Sequence, residues 1–596
     1  MRVVVLLLSA LPALAQTICG PTPTYSPCEI AIELSSAEAA ANPNPYVSVQ
    51  IDAEFRSPRY RTFKLPAYWD GGRRFVVRVA PTDAGQWLFR LSSNLPDIDG
   101  KEGQFEATDS KAPGFLKPAN VHHWALVDDI VKTPHLWMGD TLPELPFMDR
   151  GLFDKIVDAR AAEKFTHIRG IVLQRPGSAA EIFTAADKPN PGAFQELDSR
   201  VLSMNRKGIV ADLTLAYDGA QLTKIFPTPN DRARYARYVA ARYAGLQVTW
   251  QLVDRFEDSV GSRALLKEFG TALAANDPYQ HPRSTGAAQT SAPLLSDGWM
   301  NYVAYGTTDD QLGAIEHQLY ATPFVNAGIR EDLGGDAFRH ALWNATMDGQ
   351  YPTMTRSKAA PDPDSPAARQ MGYWFDLMSA SRHWELEPYF DVDGGRAIAL
   401  EGVEYLVYVE KPGPVEVLVE QHGYDVAWFN TLTGEWTKEK KPGIKNGRYT
   451  GKPPDDTHDW VLRISREGHK QSMLRSYKFD SRETPIGMQE IEQNPQKTPF
   501  EIAQPATDPI SASKPPQYAA KVTRDTRATR QMMWLWTGEV ADEHQGFRVL
   551  GSGAEGTFRI PQDLATSYPA MLALRLYGMN ANGKVYSLIR IYNLAR

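Results

Sequence analysis

Carboxylates in this chain gather where two apolar runs end. Residues 247–258 read QVTWQLVDRFED, a β-branched and aromatic run that turns acidic at Asp254, Glu257 and Asp258. Residues 322–332 read TPFVNAGIRED, where a second apolar run leads through Arg330 to Glu331 and Asp332. Two carboxyl groups at the ends of separate buried strands can cleave a glycosidic bond. One protonates the leaving oxygen while the other attacks the anomeric carbon or activates water, at a separation of about 5–5.5 Å in retaining enzymes and more in inverting ones. Asp254 or Glu257 on the first run and Glu331 on the second are the catalytic candidates. The competing reading is a strand followed by a solvated helix start, where acidic residues are common because the helix dipole favours them.

Other polar residues fall at comparable places. Asp140 ends a short apolar run and can hydrogen-bond a sugar hydroxyl or cap the next helix; Asp218, after Leu215-Ala216-Tyr217, carries the same two readings. Arg175 can bind an acidic sugar or pair with a neighbouring carboxylate. His281 reads as a structural hydrogen-bonder rather than a base, since sugar hydrolysis rarely needs histidine. Trp299, Tyr305 and Tyr320 are stacking platforms or core. No His/Cys/carboxylate cluster has zinc spacing, no Gly-x-Ser-x-Gly elbow is present, and nothing implies a metal or a cofactor.

The elements that must position these residues alternate between strand and helix. Strands are predicted over 135–141, 166–173, 208–215, 247–253, 283–288, 301–305, 322–326 and 351–354. Helices are predicted over 151–164, 194–207, 231–244, 262–275, 309–319 and 336–347. A last helix runs to about 381, with Ser365 as N-cap and Pro366 at its first position. About eight strand–helix units over roughly 260 residues are the arithmetic of a (β/α)8 barrel, whose strand C-termini form the active-site mouth. An open doubly wound sheet is disfavoured because no Gly-rich phosphate loop follows the first strand.

The flanks read as all-β. In 30–108, the stretches 46–51 and 75–79 alternate apolar and polar residues between turn residues at 70–72 and 99–100. The order Pro66-Ala67-Tyr68-Trp69-Asp70-Gly71, Arg74-Phe75, Pro81, Gly85-Gln86-Trp87, Gly100 and Gly103-Gln104-Phe105 resembles the β-sandwich that precedes many bacterial glycoside hydrolase barrels. After the barrel, 401–410, 415–419 and 425–429 alternate again, and Gly434-Glu435-Trp436 follows. This part resembles a small C-terminal sandwich named for collagen binding, although no residue specifies collagen. The expected organisation is a leader (1–15), an N-terminal β-sandwich (16–118), an α/β (β/α)8 TIM barrel (119–383), a second sandwich (384–466), a linker (467–517) and a C-terminal β-sandwich (518–596).

Trp137-Met138-Gly139-Asp140-Thr141, Trp250, His281-Pro282-Arg283-Ser284 and Pro323-Phe324-Val325-Asn326 resemble the apiosidase-like group of glycoside hydrolase barrels. The resemblance spans the whole barrel. It implies a carbohydrate substrate, a carboxylate pair on strands four and seven, and Trp137, Trp250, His281 and Asn326 around the substrate. It also exposes two departures. Relatives carry an acid five places after the strand-four tryptophan, where this chain has Arg255. Near the first acid of their seventh strand it has Gly328. A one-residue shift would bring in Asp254 and Glu331; otherwise the barrel is a non-catalytic carbohydrate-binding or adhesion relative.

Composition sets the outer limits. The 596 residues exceed one core, so three or four domains are expected. A net charge of −7 without a basic run speaks against nucleic acid. Arg2, the short apolar run 3–8 and Ala13-Leu14-Ala15 make an export signal cut after Ala15, so the mature protein is expected to be secreted or periplasmic. No stretch is long and apolar enough for a membrane span, and nothing indicates oligomeric state. The two cysteines, Cys19 and Cys28, are expected to form one disulfide in an oxidising compartment.

Overall fold

The computed structural model describes residues 19–128, 131–178, 181–259, 261–357, 361–466, 491–511, 514–540, 548–560 and 571–595. The leader over 1–15 and residues 467–490 of the stretch read as linker lie outside them.

Eight parallel strands form a single sheet: β1 (Gly139–Leu142), β2 (His167–Ile171), β3 (Val210–Ala216), β4 (Val248–Val253), β5 (Arg283–Ser284), β6 (Val303–Tyr305), β7 (Phe324–Arg330) and β8 (Gln350–Thr355). Their order is β5-β4-β3-β2-β1-β8-β7-β6, so first and last strands pair and the sheet curls into a barrel. β3 and β4 are buried along their whole length. Strands with both faces covered read as continuous apolar runs rather than alternating ones, which is why the central strands stand out in the sequence. Pairing is interrupted only between β5 and β6. There the Asn301 amide donates to the Arg283 carbonyl at 3.0 Å, and its side-chain carbonyl accepts from the Arg283 amide at 2.7 Å.

Helices cover the outside, most of them started by a side chain that accepts an otherwise orphaned backbone N–H. Asp149, Asn190 and Thr228 cap Arg150–Ala162, Pro191–Arg206 and Pro229–Tyr243; Ser365 caps Pro366–Ser379, as expected. Between β5 and β6 the described residues hold only a 3-10 turn, Ala292–Asp297. The predicted fifth strand over 283–288 shrinks to two residues. Just past it, Gly286 lies against the Asp254 carbonyl, where a Cβ would come within 2.1 Å.

The N-terminal sandwich pairs a five-stranded with a three-stranded sheet. Its core includes Trp87 stacked on Phe105 (6.1 Å, 16°), and the Cys19–Cys28 disulfide ties its first strands. A three-stranded meander, Phe115–Ala119, His123–Asp128 and Val131–Pro134, leads into β1 and packs Trp124 against Trp137 and Tyr302. The second sandwich has six- and four-stranded sheets; the C-terminal one has three- and five-stranded sheets. Strands Phe500–Gln504 and Ile510–Ser511 belong to that last sandwich. The linker reading over 467–517 therefore runs too far: the Pro- and Gln-rich composition masks two strands whose pairing partners lie later in the chain.

Candidate functional site

Strands β2, β3 and β4 bring a polar network together inside the barrel, reaching the rim at Asp254. Arg169 on β2 reaches across to Asp254, just past β4, with Nη2 2.7 Å from Oδ1, and its Nε donates to Gln251 at 3.2 Å. Gln251 and Thr249 on β4 donate to the two oxygens of Asp212 on β3, at 2.6 and 2.9 Å. Asp212 is fully buried, and burial pushes its carboxyl up to about 6 despite Arg169 nearby. Asp254 differs: its side chain is 30% exposed at the rim.

Glu331 follows β7 and is anchored at both oxygens. Arg356, just past β8, donates from Nε at 2.8 Å, and the hydroxyl of Ser365 holds the other oxygen. Arg356 also reaches Asp140, with Nη2 2.6 Å from Oδ1, while Arg160 on the first helix holds Oδ2 at 2.9 Å. Asp140 is completely buried. It joins β1 to the helix behind it, so the sugar-binding expectation for Asp140 is corrected to a buried ion pair. Glu331 keeps 17% side-chain exposure.

Glu257 is exposed and accepts from the backbone amides of Ala288 and Gln289, at 2.8 and 3.2 Å. It thereby fastens the loop after β5. Asp258 pairs with Arg255 and Asp332 with Arg330. Both arginines expected near the catalytic positions thus point into rim ion pairs on their own loops.

Three glycines explain the tightness of the β4–β7 rim. A Cβ on Gly286 would meet the Asp254 carbonyl at 2.1 Å, one on Gly306 the Ala287 carbonyl at 2.0 Å, and one on Gly328 the Gly306 carbonyl carbon at 2.6 Å. The loops touch backbone to backbone. Position 328, where relatives are expected to carry an acid, has no room for any side chain.

Four residues expected around substrate lie in the core instead. Trp137 is fully buried, stacks on His167 at 3.6 Å and donates to Thr353. Trp250 is fully buried and donates to Asp277 at 3.1 Å. His281 faces the same Asp277 carboxylate at 3.1 Å, and this contact holds that carboxyl below the usual range despite its burial. Asn326 donates to Gln350 and Thr307. Asp218 caps the helix Gly219–Ile225, accepting from the Gln221 amide at 2.7 Å. Arg175 is exposed and pairs with Glu144 at 3.0 Å.

Sequence reasoning missed Arg169, Asp212, Gln251 and Arg356. A signal existed for the first two: a lone charge inside an otherwise apolar strand must face a partner. Arg356 carried none. His122, His317 and Glu387 also carry no recognisable spacing in the sequence. They form the one group with metal-ligand spacing among the described residues, beside the N-terminal ends of β7 and β8. A cavity of about 630 Å³ lies elsewhere, between Met347, Phe390, Arg396 and the C-terminal sandwich. Its Arg396 is already paired with Asp348 and Asp310, and it is remote from the strand C-termini. The rim is therefore the better candidate on the logic of the barrel.

Barrel and flanking sandwiches together define a TIM-barrel fold with β-rich domains on both sides. Residues 125–327 match the family model described as "Apiosidase-like, catalytic domain", and residues 22–94 match a domain of unknown function, DUF5060. A solved "putative glycoside hydrolase" from Bacteroides vulgatus superposes with a TM-score of 0.63 at 18% identity, over 75% of this chain and 100% of its own. A glycoside hydrolase family 5 protein from the same organism gives 0.50 at 15% identity, over 60% and 94%. At these identities the likeness is one of fold. No curated protein matches the chain.

Proposed function

We propose that the protein is a secreted glycoside hydrolase acting on a poly- or oligosaccharide, with Asp254 and Glu331 as its carboxylate pair. One observation carries this reading: at the ends of β4 and β7 stand two carboxylates that keep solvent access, each held by an arginine rooted in the barrel. Such anchoring preorganises the pair. Glu331, engaged at both oxygens, suits the charge-stabilising or attacking role. Asp254 is hydrogen-bonded only through Oδ1 among the described residues, and its open Oδ2 suits a base that takes a proton from water. Glu257 acts as a positioning residue through the β5 loop.

The test is release of reducing sugar from a panel of plant and bacterial polysaccharides. Asp254→Asn and Glu331→Gln are each expected to cost on the order of 10²–10⁴-fold in kcat, and Glu257→Gln clearly less. Unchanged rates in both variants would overturn the assignment.

The closed rim at Gly328 favours a second reading, a carbohydrate-binding relative without catalysis. It predicts glycan binding by the wild-type protein with no sugar release from any polysaccharide.

A further inference from the structure

Away from the rim, three separate pieces of the chain converge on one carboxylate. Glu387 begins the second sandwich, in the strand Glu387–Tyr389. His122 lies in the turn before the strand His123–Asp128, and His317 sits on the barrel helix Asp310–Leu319. His122 Nδ1 is 3.0 Å from Glu387 Oε2, and His317 Nε2 is 3.2 Å from the same oxygen. The two imidazole rings are 4.0 Å apart, and the three ligand atoms all lie within 4.8 Å of one another. Zinc bonded to nitrogen and oxygen at about 2.0–2.1 Å in a tetrahedron separates its ligands by about 3.3 Å. Both contacts to Oε2 are already close to that edge length.

The contacts around the group orient its nitrogen and oxygen atoms toward one point. His122 Nε2 faces the Tyr320 carbonyl at 3.0 Å, so that nitrogen carries the proton. A histidine bonded to a carbonyl through one nitrogen and offering the other is the usual support of a metal ligand. His317 is buried, and its Nε2 makes no hydrogen bond despite its closeness to Oε2. His123 Nε2 lies 3.3 Å from the second oxygen, Oε1, and its Nδ1 is held by the Tyr351 hydroxyl at 2.8 Å. This would fix the carboxylate so that Oε2 is presented to the ion. The Glu387 side chain is 34% exposed, so the group is not sealed from solvent.

We propose that His122, His317 and Glu387 form a binding site for a divalent transition-metal cation, zinc in the first instance, with His123 positioning the carboxylate. Two imidazoles and one carboxylate suit zinc or its first-row neighbours rather than calcium or magnesium. The site ties meander, barrel and second sandwich to one ion.

The experiment uses the full chain without a polyhistidine tag, stripped with chelator, exposed to zinc and dialysed. Elemental analysis is expected to find about one zinc per chain. Titration calorimetry is expected to show at least tenfold weaker zinc binding in His317→Gln and Glu387→Gln. His422→Gln, at the exposed His422–Glu420 pair, is the control and is expected to match wild type. Cobalt(II) added to the stripped wild-type protein should give the visible d–d bands of a four-coordinate site, a readout independent of any variant. No retained zinc together with no cobalt bands, or equal zinc affinity in all variants, would overturn the proposal and leave a protonated histidine–glutamate clamp.

Discussion

A single glycine decides how the catalytic question can be asked. The departure at 328 reads in the sequence as a missing acid; the structure shows that no side chain fits, because Gly306 backbone lies 2.6 Å from where its Cβ would be. Gly328→Glu is therefore expected not to restore an active pair but to destabilise by about 1–3 kcal/mol or more, measured by urea unfolding. Gly328→Ala should show most of the same loss. Arg169 is the other residue to change. Replacing it with methionine leaves Asp212 buried without its cation, and a loss of about 3–5 kcal/mol is expected by the same measurement. The tryptophans show why this scale was hard to read. Trp137 and Trp250 lie in the expected strand regions, yet whether such a side chain meets substrate or core depends on its depth in the strand and on which face it occupies. In a strand, that face changes with each residue.

Elements were more legible than side chains. Alternating periodicity and caps such as Ser365 placed the barrel helices, since these signals are local. The shortening of β5 and the strands 500–504 and 510–511 were not legible, because each depends on a neighbour distant in sequence. The helix Asp310–Leu319 carries a pH prediction of its own. Glu316 is fully buried, accepts from the Thr290 and Tyr305 hydroxyls at 2.7 Å each, and its carboxyl is pushed up by burial to about 7. The folded protein thus binds a proton there that the unfolded chain releases near pH 4.5. Stability from this group is present below about pH 4.5 and is lost as pH rises to about 7, by about 3 kcal/mol. Glu316→Gln keeps an acceptor for both hydroxyls and cannot ionise. Its thermal unfolding is expected to show a smaller decline between pH 5 and 8, and a higher Tm than wild type at pH 8.

The whole molecule is held together by buried charge as well as by apolar contact. Asp198 on a barrel helix accepts from Arg78 of the N-terminal sandwich and from Arg242 of the barrel, at 2.8 Å each. On the other side Arg339 of the barrel meets Asp459 of the second sandwich at 2.6 Å. Asp198→Ala would leave two arginines buried together, and a loss of about 3–5 kcal/mol is expected in denaturant unfolding. None of these pairs could be read from the sequence, because the partners lie far apart along the chain and share no local pattern.

The absent helix between β5 and β6 has a consequence for how this chain can be divided. Ala292, Val303, Tyr305, Leu312 and Ile315 on that side of the barrel share a core with Leu535, Met579 and Val585 of the C-terminal sandwich. The Trp534 amide also donates to Gln311 at 2.9 Å. The terminal sandwich thus serves as part of the barrel's outer wall. A shuffling event or an expression boundary at the end of the second sandwich would cut through a hydrophobic core rather than between beads on a string. Unlike an interchangeable appendage, the last hundred residues or so supply side chains to a core that the barrel shares.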